Sequence, residues 1–319
     1  MNSRKIFILL PDGVGLRNFA YTSFVKQGEI LGWQITFWNQ TPFDLKKLGY
    51  SEIKLDGKPK AITDLVKRAK ITAELDHFTN KFEDSIYQSY KFPINKSGLK
   101  SSIKNAVVFF LVYLNKGEKG ISRLQKKLLK SEVDSPFYKD CKELLEKEKP
   151  DIVFCTNQRP VAAIAPLLAA RDLGIKTGCF IFSWDNLPKA TKVIETDFYL
   201  VWSDFMKQEL QKYYPEIKSK QIEVTGTPQF EVHFKAETKV SKESFYALHN
   251  LLPGRKYLCF SGDDITTSPH DELYLRDVAI AVRKMNENGA NIGIIFRRCP
   301  VDFSGRYDKF IAEYKDIIV

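Results

Sequence analysis

Between Asp151 and Phe230 the chain alternates short apolar runs with helical stretches, and few folds accept that alternation. "DIVFC" reads as a strand, "PVAAIAPLLAARDLGI" as an apolar helix, and "KTGCFIF" and "DFYLVW" as two more strands. "SDFMKQELQKYYP" reads as a helix capped by Ser203, with Asp204 favouring the dipole in its first turn. "QIEVTGTPQF" is a strand that runs out into a loop. These strands are apolar almost throughout rather than at alternate positions. Both of their faces must therefore be covered, the condition of a mostly parallel sheet flanked by helices.

The amino end fits the same scheme. "KIFILL" is a strand, "PDGVG" a turn and "LRNFAYTSFVKQGEILG" a helix with Ala20, Phe24, Gly28 and Leu31 on one stripe. Gly28 in that stripe implies close packing on the sheet, and "WQITFWN" is a second strand. From Pro42 to Lys149 the pattern is less regular. Its lysine-rich helical stretches, interrupted by "YKFPINKSG", read as a solvated helical surface. The apolar run "AVVFFLVYL", from Ala106 to Leu114, is about half the ~20 residues of a spanning helix. It reads as a buried helix, the alternative being a patch resting on a membrane or partner.

The hydrophilic stretch from Glu231 to Ser244 reads as a domain connection, after which the alternation restarts. "KYLCFSG" is a strand, "DDITTSPH" a polar loop, and "DELYLRDVAIAVRKMNENG" a helix with Leu273, Val278 and Val282 inward, ending at Gly289. "NIGIIFRR" is the next strand, and "KFIAEYKDIIV" opens another helix–strand unit. The expected architecture is α/β: a Rossmann-like domain over residues 1–235 and the start of a second over residues 245–319. A domain of typical size would need about another hundred residues, so the second reads as cut short.

With 44% hydrophobic residues the chain can bury a substantial core, and its formal net charge is +10. That surplus suits nucleic acid, an anionic membrane surface or phosphate-bearing small molecules. No zinc finger, helix-turn-helix or aromatic RNA-binding signature accompanies it, so no nucleic-acid partner is expected. The five cysteines are widely spaced, without CxxC pairs, which argues against a zinc site or a disulfide framework and fits a reducing cytoplasm. Cys155 and Cys179 read as small buried hydrophobes. "MNSRKIFILLPDG" is too short in apolar residues for a signal-peptide core. His77, His233, His249 and His270 have no triad spacing, and His270, in the polar loop before a helix, reads as a solvent-facing helix start, the alternative being contact with substrate. Asp263 and Asp264 are adjacent rather than in a DxD pattern, so a metal-bridged diphosphate is not indicated.

Open parallel sheets bind ligands beyond the carboxyl ends of their strands. That rule gathers Asp12, Gly13 and Gly15; Thr156, Asn157, Gln158 and Arg159; Ser183 to Asn186; Trp202 and Ser203; and Gly226, Thr227 and Pro228. The later strands add Ser261 to Asp264, with Arg297 and Arg298. "DGVGLRN" resembles a phosphate-binding turn, although Asn18 stands where GxGxxG has its third glycine and the lysine and hydroxyl of a P-loop are missing. The other reading is a tight turn with Gly13 or Gly15 at positive φ. "FSGDD" offers a small flexible loop, and "FRRCP" guanidinium groups suited to bidentate phosphate contacts. In "SWDN", Trp184 either stacks on a sugar ring or packs under the loop. Asp185 and Asn186 either bond hydroxyls or stabilise the turn through their own backbone. Pro188 keeps the segment extended.

The strings "PDIVFCTNQRP", "LAARDLGIKTGCFIFSWDNL", "DFYLVWSDFMKQELQKYYP" and "VTGTPQFEVHF" together resemble bacterial glycosyltransferase-like proteins of the GT-B fold. These are the UDP-glycosyltransferase-type and CDP-glycerol-transferase-like enzymes of surface-polysaccharide assembly. Weaker matches, "PDGVGLRNF", "CFSGDD" and "FRRCPVDFSGRYD", extend the resemblance. It implies two facing Rossmann-like domains, the acceptor bound mainly by the first and a nucleotide-sugar donor, UDP-linked by preference, mainly by the second. No metal and no cofactor beyond the donor are implied. Asp12 is the first candidate base and Asp185 the second. Gly13, Gly15, Arg17, Asn157, Arg159, Trp184 and Asn186 line the acceptor side, and Ser261, Gly262, Arg297 and Arg298 face the donor phosphates. In this family much of the nucleotide is held by a later part of the second domain, which would lie beyond Val319. The acceptor is expected to be a surface polysaccharide or a lipid-linked carbohydrate, with the protein cytoplasmic or peripheral at the inner membrane face. The alternatives are a glycerophosphotransferase on the same fold, or a non-catalytic binding protein lacking the donor half.

Overall fold

A computed structural model describes residues 4–93 and 98–319; the first three residues, and residues 94–97 within "YKFPINKSG", lie outside the described residues. The chain divides into two compact units, Met1–Phe234 and Lys235–Val319.

The first unit is built on seven parallel strands: β1 (Arg4–Leu10), β2 (Trp33–Asn39), β3 (Glu52–Lys54), β4 (Ile152–Cys155), β5 (Lys176–Phe180), β6 (Phe198–Val201) and β7 (Ile222–Val224). Their order is β3-β2-β1-β4-β5-β6-β7. The chain lays down three strands in one direction, then returns to the other side of β1. The seam between β1 and β4 is thus the switch point, with Ile6 opposite Ile152 and Leu9 opposite Cys155.

Side chains alternate across the sheet as a two-residue period requires. Phe7, Leu9, Val153, Cys155, Cys179 and Tyr199 enter one core. Ile8, Leu10, Phe37, Phe154 and Phe180 enter the other. Cys155 and Cys179 are buried neighbours on adjacent strands, and burial pushes both thiols up, that of Cys179 to about 12.

Among the described residues, seven α-helices accompany this sheet: α1 (Phe24–Ile30), α2 (Ala61–Phe82), α3 (Gly98–Leu114), α4 (Gly117–Glu132), α5 (Pro136–Glu148), α6 (Ile164–Asp172) and α7 (Asp204–Tyr213). The long helix expected after β1 is broken. A π-helical turn, Leu16–Ala20, precedes α1, and the Ser23 amide that begins α1 donates to both oxygens of Glu231. Leu31 is exposed rather than inward, whereas a Cβ on Gly28 would collide with Ile35, so the close packing on the sheet holds.

Residues 42–149 are not a solvated surface. Helices α2, α4 and α5 contribute Val66, Leu75, Phe78, Leu124, Leu128 and Leu145 to the larger core. Their charged residues mislead because some of them are themselves buried: Lys70 pairs with Glu74 at 2.7 Å and donates to the Lys192 carbonyl at 2.5 Å. The start of α2 is held by the buried Glu132 carboxylate, which accepts the Lys60 amide at 2.9 Å and the Thr63 hydroxyl. The expectation of a buried helix at Ala106 to Leu114 fails in the opposite sense. Helix α3 is apolar nearly all round but packs chiefly on α2, so Leu111 alone is buried while Phe109, Phe110 and Tyr113 face outward.

The second unit pairs β8 (Lys256–Ser261) with β9 (Ile292–Arg297) in parallel and adds α8 (Lys242–Leu248), α9 (Asp271–Glu287) and α10 (Asp308–Glu313). Ile318 makes an isolated parallel bridge to Ile294. On α9, Leu275, Ala279 and Val282 are buried and Val278 packs against the same core, so of the residues expected inward only Leu273 lies to the side. Gly289 follows the helix at φ 89°, a left-handed stop.

Candidate active site

Two polar side chains bridge the switch point at the carboxyl ends of β1 and β4. Asp12 accepts the Val14 amide at 3.0 Å through Oδ1 and the Asn157 Nδ2 at 2.7 Å through Oδ2. Asn157 is buried, and its own Oδ1 accepts the Arg159 amide at 3.1 Å. One chain of hydrogen bonds thus orients a carboxylate and the turn that carries a cation. The Arg159 guanidinium lies 5.5 Å from the Phe182 ring centroid. Among the described residues it makes no ion pair, and its Nε is buried without a hydrogen-bond partner.

Neither glycine of "DGVGLRN" is there for positive φ, and only Gly15 is needed for close contact. Gly15 has φ −69°, and a Cβ there would collide with Thr156 and Leu10 across the seam. A Cβ on Gly13 would make only an ordinary contact, 3.9 Å from Leu16, and neither residue is among the glycines at positive φ. Asn18, in the third-glycine place, is buried; its Oδ1 accepts the Thr227 hydroxyl and the Gln229 amide, both at 3.1 Å. Arg17 donates to the Gln229 side chain. Together with Glu231 on Ser23, these bonds fasten residues 227–231 beside the end of β1. The beginning of the presumed domain connection is therefore part of the site's scaffold.

At the end of β5, Trp184–Asn186 form a short 3₁₀ turn with Trp184 66% exposed, so the indole does not pack under the loop. Asp185 is engaged by Lys189 at 2.5 Å and by the Asn186 amide at 3.2 Å. Burial alone would raise its carboxyl. Hydrogen bonds from Lys189 and Ser183, with the charges of Lys189 and Arg159, outweigh that and hold it below the usual carboxylate range. Asn186 is buried, and its carbonyl accepts the Thr191 hydroxyl at 2.9 Å, so it serves the turn. Pro188 does not keep the segment extended. Leu187 is helical at φ −70°, and the turn closes through the Ala190 amide on the Leu187 carbonyl at 3.1 Å, with Ala190 at φ 55°.

In the second unit Ser261 is exposed at the end of β8, but the Gly262 amide already donates to the Arg297 carbonyl at 2.9 Å. Arg298 donates to the Ser304 carbonyl at 2.6 Å and pairs with Asp308. Arg297 is exposed, with no side-chain partner among the described residues. The polar loop after β8 is tied down rather than flexible. Thr266 and Thr267 bond Asp264 and hold its carboxyl far below the usual range. The buried Asp271 accepts Tyr307 Oη at 2.8 Å and the Asp263 amide at 3.1 Å, and Arg306 donates to the Asp263 carbonyl at 2.7 Å. His270 is exposed at the start of α9.

Sequence reasoning did not assign roles to Asn18, Lys189, Asp271, Arg306 or Tyr307. The Asp185–Lys189 spacing of four was a usable signal; the Asp271–Tyr307 bond joins residues 36 apart and left none. Among the described residues no three His, Cys, Asp or Glu side chains gather as a metal ion would require. A cavity of about 500 Å³ beside α2 and α4 is lined by none of these site residues.

No protein-family model matches the sequence, and no curated protein matches it. Solved structures match in fold. A glycosyltransferase from Rickettsia africae ESF-5 superposes with TM-score 0.52 at 13% identity, over 100% of this chain and 68% of that one. A putative UDP-N-acetylglucosamine 2-epimerase from Listeria monocytogenes gives TM-score 0.55 at 12% identity, over 98% of this chain and 67% of that one. Identities this low speak for architecture alone, and the parallel sheet with its switch point agrees with them: the chain has a GT-B glycosyltransferase-like fold.

Proposed function

We propose that the protein is a glycosyltransferase using a nucleotide-sugar donor, UDP-linked by preference, and a carbohydrate or lipid-linked acceptor. The observation that carries this reading is the Asp12–Asn157 bond across the switch point, where doubly wound sheets bind their ligands. The names of the two structural neighbours, a glycosyltransferase and a UDP-sugar epimerase, support the donor class.

In this reading an acceptor hydroxyl attacks the anomeric carbon. The new C–O bond forms as the bond to the nucleoside diphosphate breaks, and the diphosphate leaves with that electron pair. Asp12 takes the hydroxyl proton; the Asn157 amide holds its carboxylate in place, and each oxygen keeps a lone pair for the purpose. Asp185 is the weaker base because Lys189 already engages it. The exposed Trp184 is available to stack on a sugar ring, and Arg159 to meet an oxygen of the acceptor. Arg297 is the candidate for the donor phosphates.

The test is turnover of a nucleotide-sugar panel by wild type and Asp12→Asn. The substitution should lower turnover by about 10²–10⁴ and leave donor affinity nearly unchanged. Wild-type turnover in that variant would remove Asp12 from the mechanism. Release of CMP in place of a nucleoside diphosphate would identify glycerophosphate transfer instead.

A further inference from the structure

Helix α3 turns an apolar face to solvent. Leu99, Ile103, Ala106, Phe110 and Tyr113 recur at intervals of four, three, four and three residues, which places them on a single stripe with Phe109 at its edge. Phe109 is 74% exposed, Phe110 59% and Tyr113 61%. Contiguous exposure of this kind on a folded domain marks a surface that meets something apolar.

What it meets is indicated by charge. Over residues 98–131 the chain has eight basic residues and one acidic one, Glu118, so this short region carries most of the net charge of +10. The solvent face of α4 presents Lys119, Arg123, Lys126, Lys127 and Lys130. Arg123 donates to the Leu114 carbonyl at 3.2 Å, so the basic stripe begins where the apolar helix ends. A second copy of the chain on α3 would bring two such basic regions together. An anionic surface would be attracted by both.

We propose that α3 and α4 dock the protein on an anionic phospholipid bilayer. The aromatic side chains of α3 enter the boundary between headgroups and acyl chains, while the lysines of α4 meet the headgroup phosphates. The helix lies on the membrane rather than through it, since no helix among the described residues is long and apolar enough to cross. This surface is independent of the chemistry proposed for Asp12.

Flotation of the full chain with phosphatidylcholine vesicles, with and without phosphatidylglycerol, tests it. Wild type should float only with the anionic vesicles and be released as salt is raised. Phe109→Ser/Phe110→Ser should weaken binding at least about tenfold, and each of Lys119→Glu, Lys126→Glu and Lys127→Glu at least about fivefold. All five positions face solvent, and an unchanged near-ultraviolet dichroism spectrum would show that each variant is folded. Wild type that stays with the unbound fraction overturns the proposal, as does wild-type binding by the phenylalanine double variant. A wild-type dimer in light scattering that the same double variant converts to monomer would assign the stripe to a second copy instead.

Discussion

Glu52 shows how one carboxylate can secure a sheet edge. It sits on the three-residue strand β3 and accepts Asn39 Nδ2 at 2.7 Å, the Leu45 amide at 3.0 Å and Lys54 Nζ at 2.6 Å. Burial alone would raise its carboxyl. The hydrogen bonds from Lys54 and Asn39, the Lys54 charge and the Lys46 amide outweigh that and bring it down to about 2. A carboxylate depressed in this way binds fewer protons in the native state than in the unfolded one. Its contribution is complete above the ordinary glutamate value of 4.5 and is lost as pH falls through about 2. Glu52→Gln should therefore cost about 2 kcal/mol at pH 7, and the gap to wild type should narrow as urea melts are repeated from pH 4.5 downward. A gap independent of pH would mean that shape and not charge matters at this position. Glu52 left no trace in the sequence, because a strand of three residues has no readable period. Asp12 and Asn157 did, because each directly follows a long apolar run. What could not be read was that they touch, since the bond spans 145 residues.

At the scale of elements, legibility followed how each one meets its neighbours. The central strands are apolar on both faces and were plain from the sequence; α2, with its many charged residues, looked like surface. Its Lys70 and Glu74 are both nearly inaccessible, and burial lowers the lysine's pKa against the opposing pull of Glu74. Such a pair contributes little net stability compared with apolar residues, yet breaking it leaves a charge uncompensated in the core. Glu74→Leu alone is expected to cost about 3–5 kcal/mol. The double variant Lys70→Met/Glu74→Leu should recover most of that loss, measured as a coupling energy in a denaturant double-mutant cycle. Additive single effects would show that the two side chains act independently. Helix α3 misled for the converse reason: its apolar residues promised burial, but one neighbouring helix leaves much of their surface uncovered.

At the scale of the molecule, the cores are separate. Two apolar clusters lie wholly within the first unit and the third wholly within the second. All four tryptophans, Trp33, Trp38, Trp184 and Trp202, belong to the first unit. Tryptophan fluorescence therefore follows that unit alone, while far-ultraviolet dichroism follows the helices of both. The donor-phosphate candidate Arg297 lies in the second. UDP at about 100 times its Kd should stabilise the unit that binds it by about 2.7 kcal/mol. The expected result is a ligand-dependent shift of the dichroism transition, with the fluorescence midpoint unchanged and no shift in Arg297→Ala. If fluorescence moves with dichroism and Arg297→Ala still responds, the nucleotide is held by the first unit, and the assignment of Arg297 falls. If both probes move in wild type and neither in Arg297→Ala, the arginine binds the nucleotide and the two units unfold together.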